Sequence, residues 1–379
     1  MLALLGVVVT SCTAATLGGS TAGRTDLLPA ARITRPGEVL FPQAPRAVAL
    51  ARLPTARRDA WCPPRDMPGP PPVERLRPLA RPDSASEPFA LAVMSDAAAS
   101  LAGDRPAARR LVELLDRWAT GRALLQTERP SANMTYALDR TLLPTIVAFS
   151  LARQDPGVEA AKAALIQAWL RSVLMLRRSP GPGELTARNN HHLLRASVDM
   201  AWGALTGDEA YFQHGLAAYA SALRTMRPDG SLPLETARGA RALWYQRHAV
   251  ASLVVIAQIA AVQGIDLFDL QIEGRDLHRA IGFLLDGIER PELVWRYASI
   301  NDNPGTDRSY RDQDLGFLAA RGHDRHYMAW AEIYIARFPE RAESRRLLAV
   351  LEAADPDFRP MVDEYSGGNA TCYFAQGAD

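Results

Sequence analysis

Two short segments concentrate the side chains able to move protons and hold an anion. The first is Arg188-Asn189-Asn190-His191-His192, at the start of an expected helix. Asn is a favoured helix N-cap, which by itself accounts for Asn189. Capping does not require a second Asn followed by His, and side chains on a first helical turn sit at a rim where helix N-termini favour anions. The second segment is Arg238-Gly239-Ala240-Arg241-Ala242-Leu243-Trp244-Tyr245-Gln246-Arg247-His248. On a helix Arg241, Tyr245 and His248 fall at i, i+4 and i+7, so a guanidinium, a phenol and an imidazole share one face. That stripe is too polar for an ordinary core; the alternative is a solvated face with a buried Tyr whose hydroxyl finds a partner. The candidate catalytic residues are therefore Asn190, His191, Arg241, Tyr245 and His248. Amide and guanidinium suit neutralising an anion, and imidazole and phenol suit taking and giving a proton.

The chain that must position these groups has 379 residues, enough for two or three domains of ~150 residues or one large repetitive domain. Hydrophobic residues at 48% and charged residues at 22% exclude bulk disorder and a multi-span membrane protein. With 43 Lys and Arg against 42 Asp and Glu, the net charge of +1 gives no global field to hold nucleic acid, and no such partner is expected. No CxxC occurs, and adjacent His191 and His192 lack a third ligand at metal-site spacing, so neither metal nor other cofactor is expected.

Residues 1–9 form an apolar stretch too short to span a bilayer, followed by Val9-Thr10-Ser11-Cys12. That is the order of a bacterial lipoprotein signal, although the usual preceding Lys or Arg is missing; the alternative is a buried hydrophobic strand. The expectation is an exported, periplasmic protein with a lipid anchor at Cys12, acting as a monomer. In an oxidising compartment Cys62 and Cys372 could staple distant parts of the chain; two unpaired thiols fit the sequence equally well.

Three regions are expected: a signal and tether over 1–24, a Pro-rich extended arm or lid over 25–88, and a helical domain over 89–379. The arm is rich in Pro, Arg, Gly and Ser and shows no sustained period. Beyond it, apolar spacing predicts helices near 105–124, 136–153, 157–178, 190–206, 209–226, 238–263, 276–288, 324–338 and 343–353. Residues 230–235, after the Pro228-Asp229-Gly230 turn, read as an extended connector. The fold class is all-α, built from antiparallel helix hairpins. Such hairpins either bundle or curl into a solenoid or toroid, and periodicity does not choose between them.

Asn189-Asn190-His191, then Asp229-Gly230-x-Leu232-Pro233-x-Glu235, then Arg241-Ala242-Leu243-x-Tyr245 resemble, in order and spacing, the bacterial alginate lyases of the periplasmic poly-mannuronate lyase family. Trp330-x-Glu332-x-Tyr334 and Gly367-Gly368-x-x-Thr371 are similar to that family's C-terminal motifs, and Cys62-Pro63-Pro64 and Asp83-Ser84-Ala85 are fainter echoes. The resemblance touches the chain from about Cys62 onward and is specific between Asn189 and His248. It implies an incomplete (α/α) toroid with a long cleft that cleaves polyuronates by metal-independent β-elimination. Removing H5 of a uronate makes a carbanion delocalised into the C6 carboxylate, so that carboxylate must be neutralised first; Asn190 and Arg241 suit this. His191 and a phenol would then share the base and acid roles.

One position departs from the family pattern. The family's catalytic Tyr lies seven residues after the Arg matched by Arg241, where this chain has His248; Tyr245 matches another family Tyr. Either His248 takes the acid/base role, or Tyr245 does so from the same face, or the elimination is altered or lost. Alginate is the default substrate implied. A glucuronate-containing exopolysaccharide and a non-catalytic polysaccharide-binding or export lipoprotein are the alternatives.

Further substrate-binding candidates are Asn189, Arg188, Trp244, Arg81 and Glu235. Arg81 lies where the family has a mobile lid. Arg188 and Arg247 either add positive charge to the cleft or are solvated. Trp244 is a sugar-stacking candidate, whereas Trp118 and Trp202 fit core positions. Glu235 is read as pairing with Arg241 or Arg238 and orienting it.

Overall fold

The computed structural model describes residues 30–65, 69–73, 86–125, 131–177, 186–300, 309–321 and 325–377. Two short helices come first, α1 (Gln43–Arg52) and α2 (Thr55–Trp61). Antiparallel pairs follow: α3 (Ser86–Leu101) with α4 (Arg105–Thr120), α5 (Ala132–Ala152) with α6 (Ala160–Leu176), and α7 (Asn190–Thr206) with α8 (Glu209–Thr225). The one-turn helix α9 (Pro233–Thr236) and a 3₁₀ turn (Gly239–Arg241) lead into α10 (Ala242–Val262), which pairs with α11 (Leu277–Glu289). After α12 (Glu292–Ala298) come α13 (Trp330–Arg337) and α14 (Ala342–Ala354). An antiparallel hairpin, β1 (Val362–Asp363) and β2 (Gly368–Asn369), precedes α15 (Ala370–Phe374).

Helices α3, α5, α7, α10 and α13 pack side by side in that order, and α4, α6, α8, α11 and α14 lie outside their partners. This is an incomplete (α/α) toroid. The two layers are written differently in sequence. Every side chain from Ala249 to Ala257 in α10 is buried, as an inner helix touched on all sides requires. In α4, by contrast, Leu111, Leu114, Leu115 and Trp118 make one buried stripe, while Arg105, Arg109, Glu113 and Arg117 face solvent. The α7–α8 pair approaches closely because it carries glycine on both sides. A Cβ on Gly203 would sit 2.6 Å from the Phe212 nitrogen, and one on Gly215 would sit 2.5 Å from the Met200 sulfur.

A buried ion cluster sets α5 against α7. Arg177, at the end of α6, donates to Asp139 of α5 at 2.5 Å and to Asp199 of α7; its side chain is fully buried. His214 of α8 adds a contact to Asp199 at 3.2 Å.

Several expectations change. Within 25–88 the chain forms α1 and α2 and is not only an extended arm. These helices bury few residues, so they show no apolar period; they are held by docking. Arg46 donates to the carbonyls of Cys372 and Ala375 at 2.9 Å each, and Asn369 donates to the Trp61 carbonyl at 2.8 Å. Cys62 and Cys372 form a buried disulfide with Cα atoms 5.2 Å apart, bridging 310 positions of sequence. Residues 230–235 are not wholly extended, because Pro233 opens α9, where its fixed φ suits a first helical turn. Helix α3 escaped the periodic reading because small and apolar residues surround its axis. Trp118 and Trp202 are core residues, at 0% and 3% exposure. Arg81 and Cys12 lie outside the described residues.

Candidate active site

The start of α7 is fixed by Asn189, whose side-chain oxygen accepts from the His191 main-chain N–H at 3.0 Å. Asn189 is thus a buried cap, which accounts for it without substrate contact. The next residue, Asn190, is also buried and is gripped twice by Glu235 of α9. Its main-chain N–H donates to Glu235 Oε1 and its Nδ2 donates to Oε2, each at 2.7 Å. Glu235 therefore pairs with Asn190. The expected partners, Arg241 and Arg238, do not hydrogen-bond to it, and Arg238 acts on it only through charge. The two bonds join α7 to the turn before α10, the two segments singled out in sequence.

His191 is half-buried and stacks on Tyr136 of α5, ring centroids 4.2 Å apart and planes 18° from parallel. From there aromatic rings run across the site. Tyr136 lies 6.2 Å from Tyr365 of the β1–β2 hairpin; Tyr365 lies 4.7 Å from His248 of α10; His248 lies 5.8 Å from Tyr245. The Arg238 guanidinium covers the Tyr245 ring at 3.8 Å. Trp244, on the other side of His248, packs edge-on to Tyr327 at 5.4 Å and carries Arg321 over its ring at 4.8 Å.

Burial and clustered arginines keep both imidazoles neutral near neutral pH. Burial, then Arg195 and Arg238, push His191 down to about 4. His248 is 7% exposed and neither ring nitrogen has a hydrogen-bond partner. Burial, followed by Arg247, His191, Arg140 and Arg238, holds it well below the usual histidine range.

Arg241, Tyr245 and His248 do not all share one α-helical face, as spacing suggested. Gly239, at φ +57°, permits a 3₁₀ turn that ends at Arg241, so this residue lies just before α10. Its guanidinium faces Asp314 at 3.9 Å and is 43% exposed. Arg238, rather than Arg241, lies over Tyr245, and its charge adds to that of Arg195 on His191 and to those of Arg247 and Arg140 on His248. Arg247 is not solvated. It is fully buried among the rings of Trp244, Tyr327 and Tyr365, with Nε and Nη2 lacking partners. Arg188 is exposed and lines, with His192, Leu193, Ser221, Leu232 and Glu235, a cavity of about 310 Å³. Among the described residues no group of three or more His, Cys, Asp or Glu is placed to hold a metal ion.

Sequence reasoning missed Tyr136, Arg140, Tyr327 and Tyr365. Tyr136 and Arg140 stand four apart, so a phenol and a guanidinium share one face of α5, which was a readable signal. Tyr365 precedes the Gly367-Gly368 motif by two residues. Its hairpin is anchored by Glu364, which accepts from Arg140 at 2.8 Å and Arg325 at 2.6 Å. The Trp330-x-Glu332-x-Tyr334 motif is structural: all three are buried, and Glu332 accepts from Arg359 and Thr371.

Comparison with known proteins bears on this geometry. The family model described as alginate lyase matches residues 80–294, more than half of the chain. A polysaccharide lyase of Stenotrophomonas maltophilia is 32% identical over 167 residues, covering 44% of this chain and 50% of that protein. An alginate lyase of Azotobacter chroococcum is 29% identical over 232 residues, covering 59% and 57%. The chain thus spans about half the length of the curated relatives it matches. The crystal structure of alginate lyase A1-III from Sphingomonas species A1 superposes with a TM-score of 0.74 at 25% identity, covering 91% of this chain and 98% of that one. A tetrasaccharide complex of alginate lyase A1-III gives 0.75 at 24% identity, covering 92% and 98%, which supports the fold. With the family match extending across both chemistry-bearing segments, the chain belongs to the alginate lyase family.

Proposed function

We propose that this protein is a polysaccharide lyase that cleaves a uronate-containing anionic polysaccharide, alginate by default, by metal-independent β-elimination. The observation that carries the reading is a neutral imidazole, His191, beside an anchored amide and a guanidinium-capped phenol. Asn190 and Arg238 neutralise the C6 carboxylate of the bound uronate, so that negative charge can build there as H5 leaves. His191 takes H5. The C5–H5 electrons form the C4–C5 double bond, the C4–O4 bond breaks, and O4 receives the proton of Tyr245. Proton transfer from the imidazolium to the phenolate then restores both groups.

Tyr245 is given the acid role because it remains partly exposed, while His248 is buried and held unprotonated. Tyr245→Phe is accordingly expected to lower kcat by about 10²-fold or more, the scale of a lost proton transfer, with His248→Phe costing less than about tenfold. The reverse order in steady-state rates would move the acid role to His248.

The exported, periplasmic setting, with a lipid anchor at Cys12, belongs to the same proposal. The buried Cys62–Cys372 disulfide supports it, since such bridges persist in oxidising compartments. Action as a monomer belongs to the same proposal. The test is to incubate purified protein with mannuronate-rich, guluronate-rich and glucuronate polymers and follow the ultraviolet absorbance of the unsaturated uronate product. A rise on one of the first two supports the reading, a rise on glucuronate polymer alone changes the sugar, and binding with no rise on any of them leaves a polysaccharide-binding protein.

A further inference from the structure

The buried carboxylate of Glu235 takes no direct part in the elimination, yet it is the sole hydrogen-bond partner shown for the side-chain amide nitrogen of Asn190. One oxygen accepts the Asn190 main-chain N–H and the other accepts Nδ2–H, both at 2.7 Å. The main-chain donor is one of those a helix leaves open in its first turn, and a carboxylate there also suits the helix dipole. The side-chain bond does something more specific. An Asn amide has nearly the same shape in its two flipped orientations, so packing scarcely distinguishes nitrogen from oxygen. A carboxylate, which only accepts, does distinguish them: it holds Nδ2 toward itself and leaves the second Nδ2 hydrogen for another acceptor.

We propose that Glu235 is a positioning residue which, as a carboxylate, fixes the Asn190 amide so that its free N–H meets the carboxylate of the substrate. This deepens the lyase reading above and rests on it for the identity of that acceptor. A protonated Glu235 keeps one acceptor oxygen for the main-chain N–H but sets its O–H against the Asn190 Nδ2 donor, so that bond is lost and the amide is free to flip. Its oxygen would then face the substrate anion.

The surroundings place this change within reach of ordinary pH. Burial pushes Glu235 up to about 7, opposed by its two bonds from Asn190 and by the Arg238 charge. Arg188 and His192 share the adjoining cavity from the α7 side, and α8 contributes only the Ser221 and Thr225 hydroxyls to its polar lining. His191 titrates far lower, at about 4. The two groups should therefore be separable in a pH profile. The sign is fixed: the carboxylate form is competent, so kcat/KM should rise as pH passes upward through about 7.

The test compares wild type, Glu235→Gln and Glu235→Asp. For wild type, kcat/KM between about pH 4 and about pH 9 should show an acid limb near 7, because this ratio reports the free enzyme. Glu235→Gln should be at least about tenfold slower at the alkaline end, with the limb displaced toward that of His191. Glu235→Asp, which keeps an ionisable group, should retain a neutral limb. A second readout does not depend on turnover. The Asn190 side-chain amide resonance, assigned by its loss in Asn190→Ser, should titrate near 7 in wild type and stay fixed in Glu235→Gln. An unchanged limb in Glu235→Gln, or an Asn190 resonance indifferent to pH in wild type, overturns the proposal. If wild type cleaves no uronate polymer, the lyase reading fails, and the amide titration still decides whether Glu235 holds Asn190.

Discussion

His191→Ala should reduce turnover on the cleaved polymer by about 10²- to 10⁴-fold, the range for removing a positioned general base. Two features make this change informative. The imidazole is half-buried and its main structural contact is the stack on Tyr136, so alanine should leave the helical spectrum and melting curve nearly intact. The ring also starts as free base, since burial, Arg195 and Arg238 hold it down to about 4. A base that weak is poorly matched to a carbon acid until the substrate binds. The bound carboxylate then places negative charge beside those guanidinium groups, weakens their effect on the ring and raises its basicity. The loss should therefore appear in kcat far more than in KM, measured from the initial ultraviolet rise at saturating polymer. A variant within about threefold of wild type would remove His191 from the chemistry.

Arg177→Met should destabilise the fold by about 3–5 kcal/mol, because it leaves the buried Asp139 and Asp199 carboxylates without their shared cation. The cost arises from what remains. Arg195 approaches Asp139 only to 3.8 Å, and His214 reaches Asp199 from a half-exposed position. The triple variant Arg177→Met, Asp139→Asn, Asp199→Asn should recover much of the loss, since it removes the uncompensated charges with their partner. Denaturant midpoints at constant slope give both numbers. A single variant that loses under about 1 kcal/mol would show that water or rearrangement already supports the carboxylates. The cluster also reaches the site. Asp139 lies one turn from Tyr136, and Asp199 lies two turns along α7 from His191, so it sets the register that brings those two rings together.

Helices with both end signals were legible. The start of α7 at Asn190 follows from the Asn189 cap, and its end follows from Gly207 in the left-handed region. Helix α10 was placed correctly, but its first turn was not: Gly239 allows a tighter turn that spacing arithmetic cannot see, so Arg241 faces Asp314 and Arg238 lies over Tyr245. Asn190 and His191 stood out as candidates because their types exceed what capping needs. The Glu235 contact was not, since a carboxylate three residues before one arginine and six before another suggests an ion pair more readily than a bond to an amide on a distant helix. Tyr365 was hidden for another reason. Its place depends on a two-residue strand pair and on Glu364 reaching Arg140 across more than half the chain, and neither leaves a local pattern.

The covalent clasp between α2 and α15 also bears on the order of maturation. It closes only when residue 372 has been delivered and a thiol oxidant has acted on both sulfurs, and the hairpin that brings Tyr365 to His248 ends at the residue before α15 begins. A nascent chain can wind its inner helices yet still lack the Tyr365 ring beside His248. Assembly of the site is therefore timed by this final docking event, because Tyr365 reaches His248 only once the last hairpin has settled.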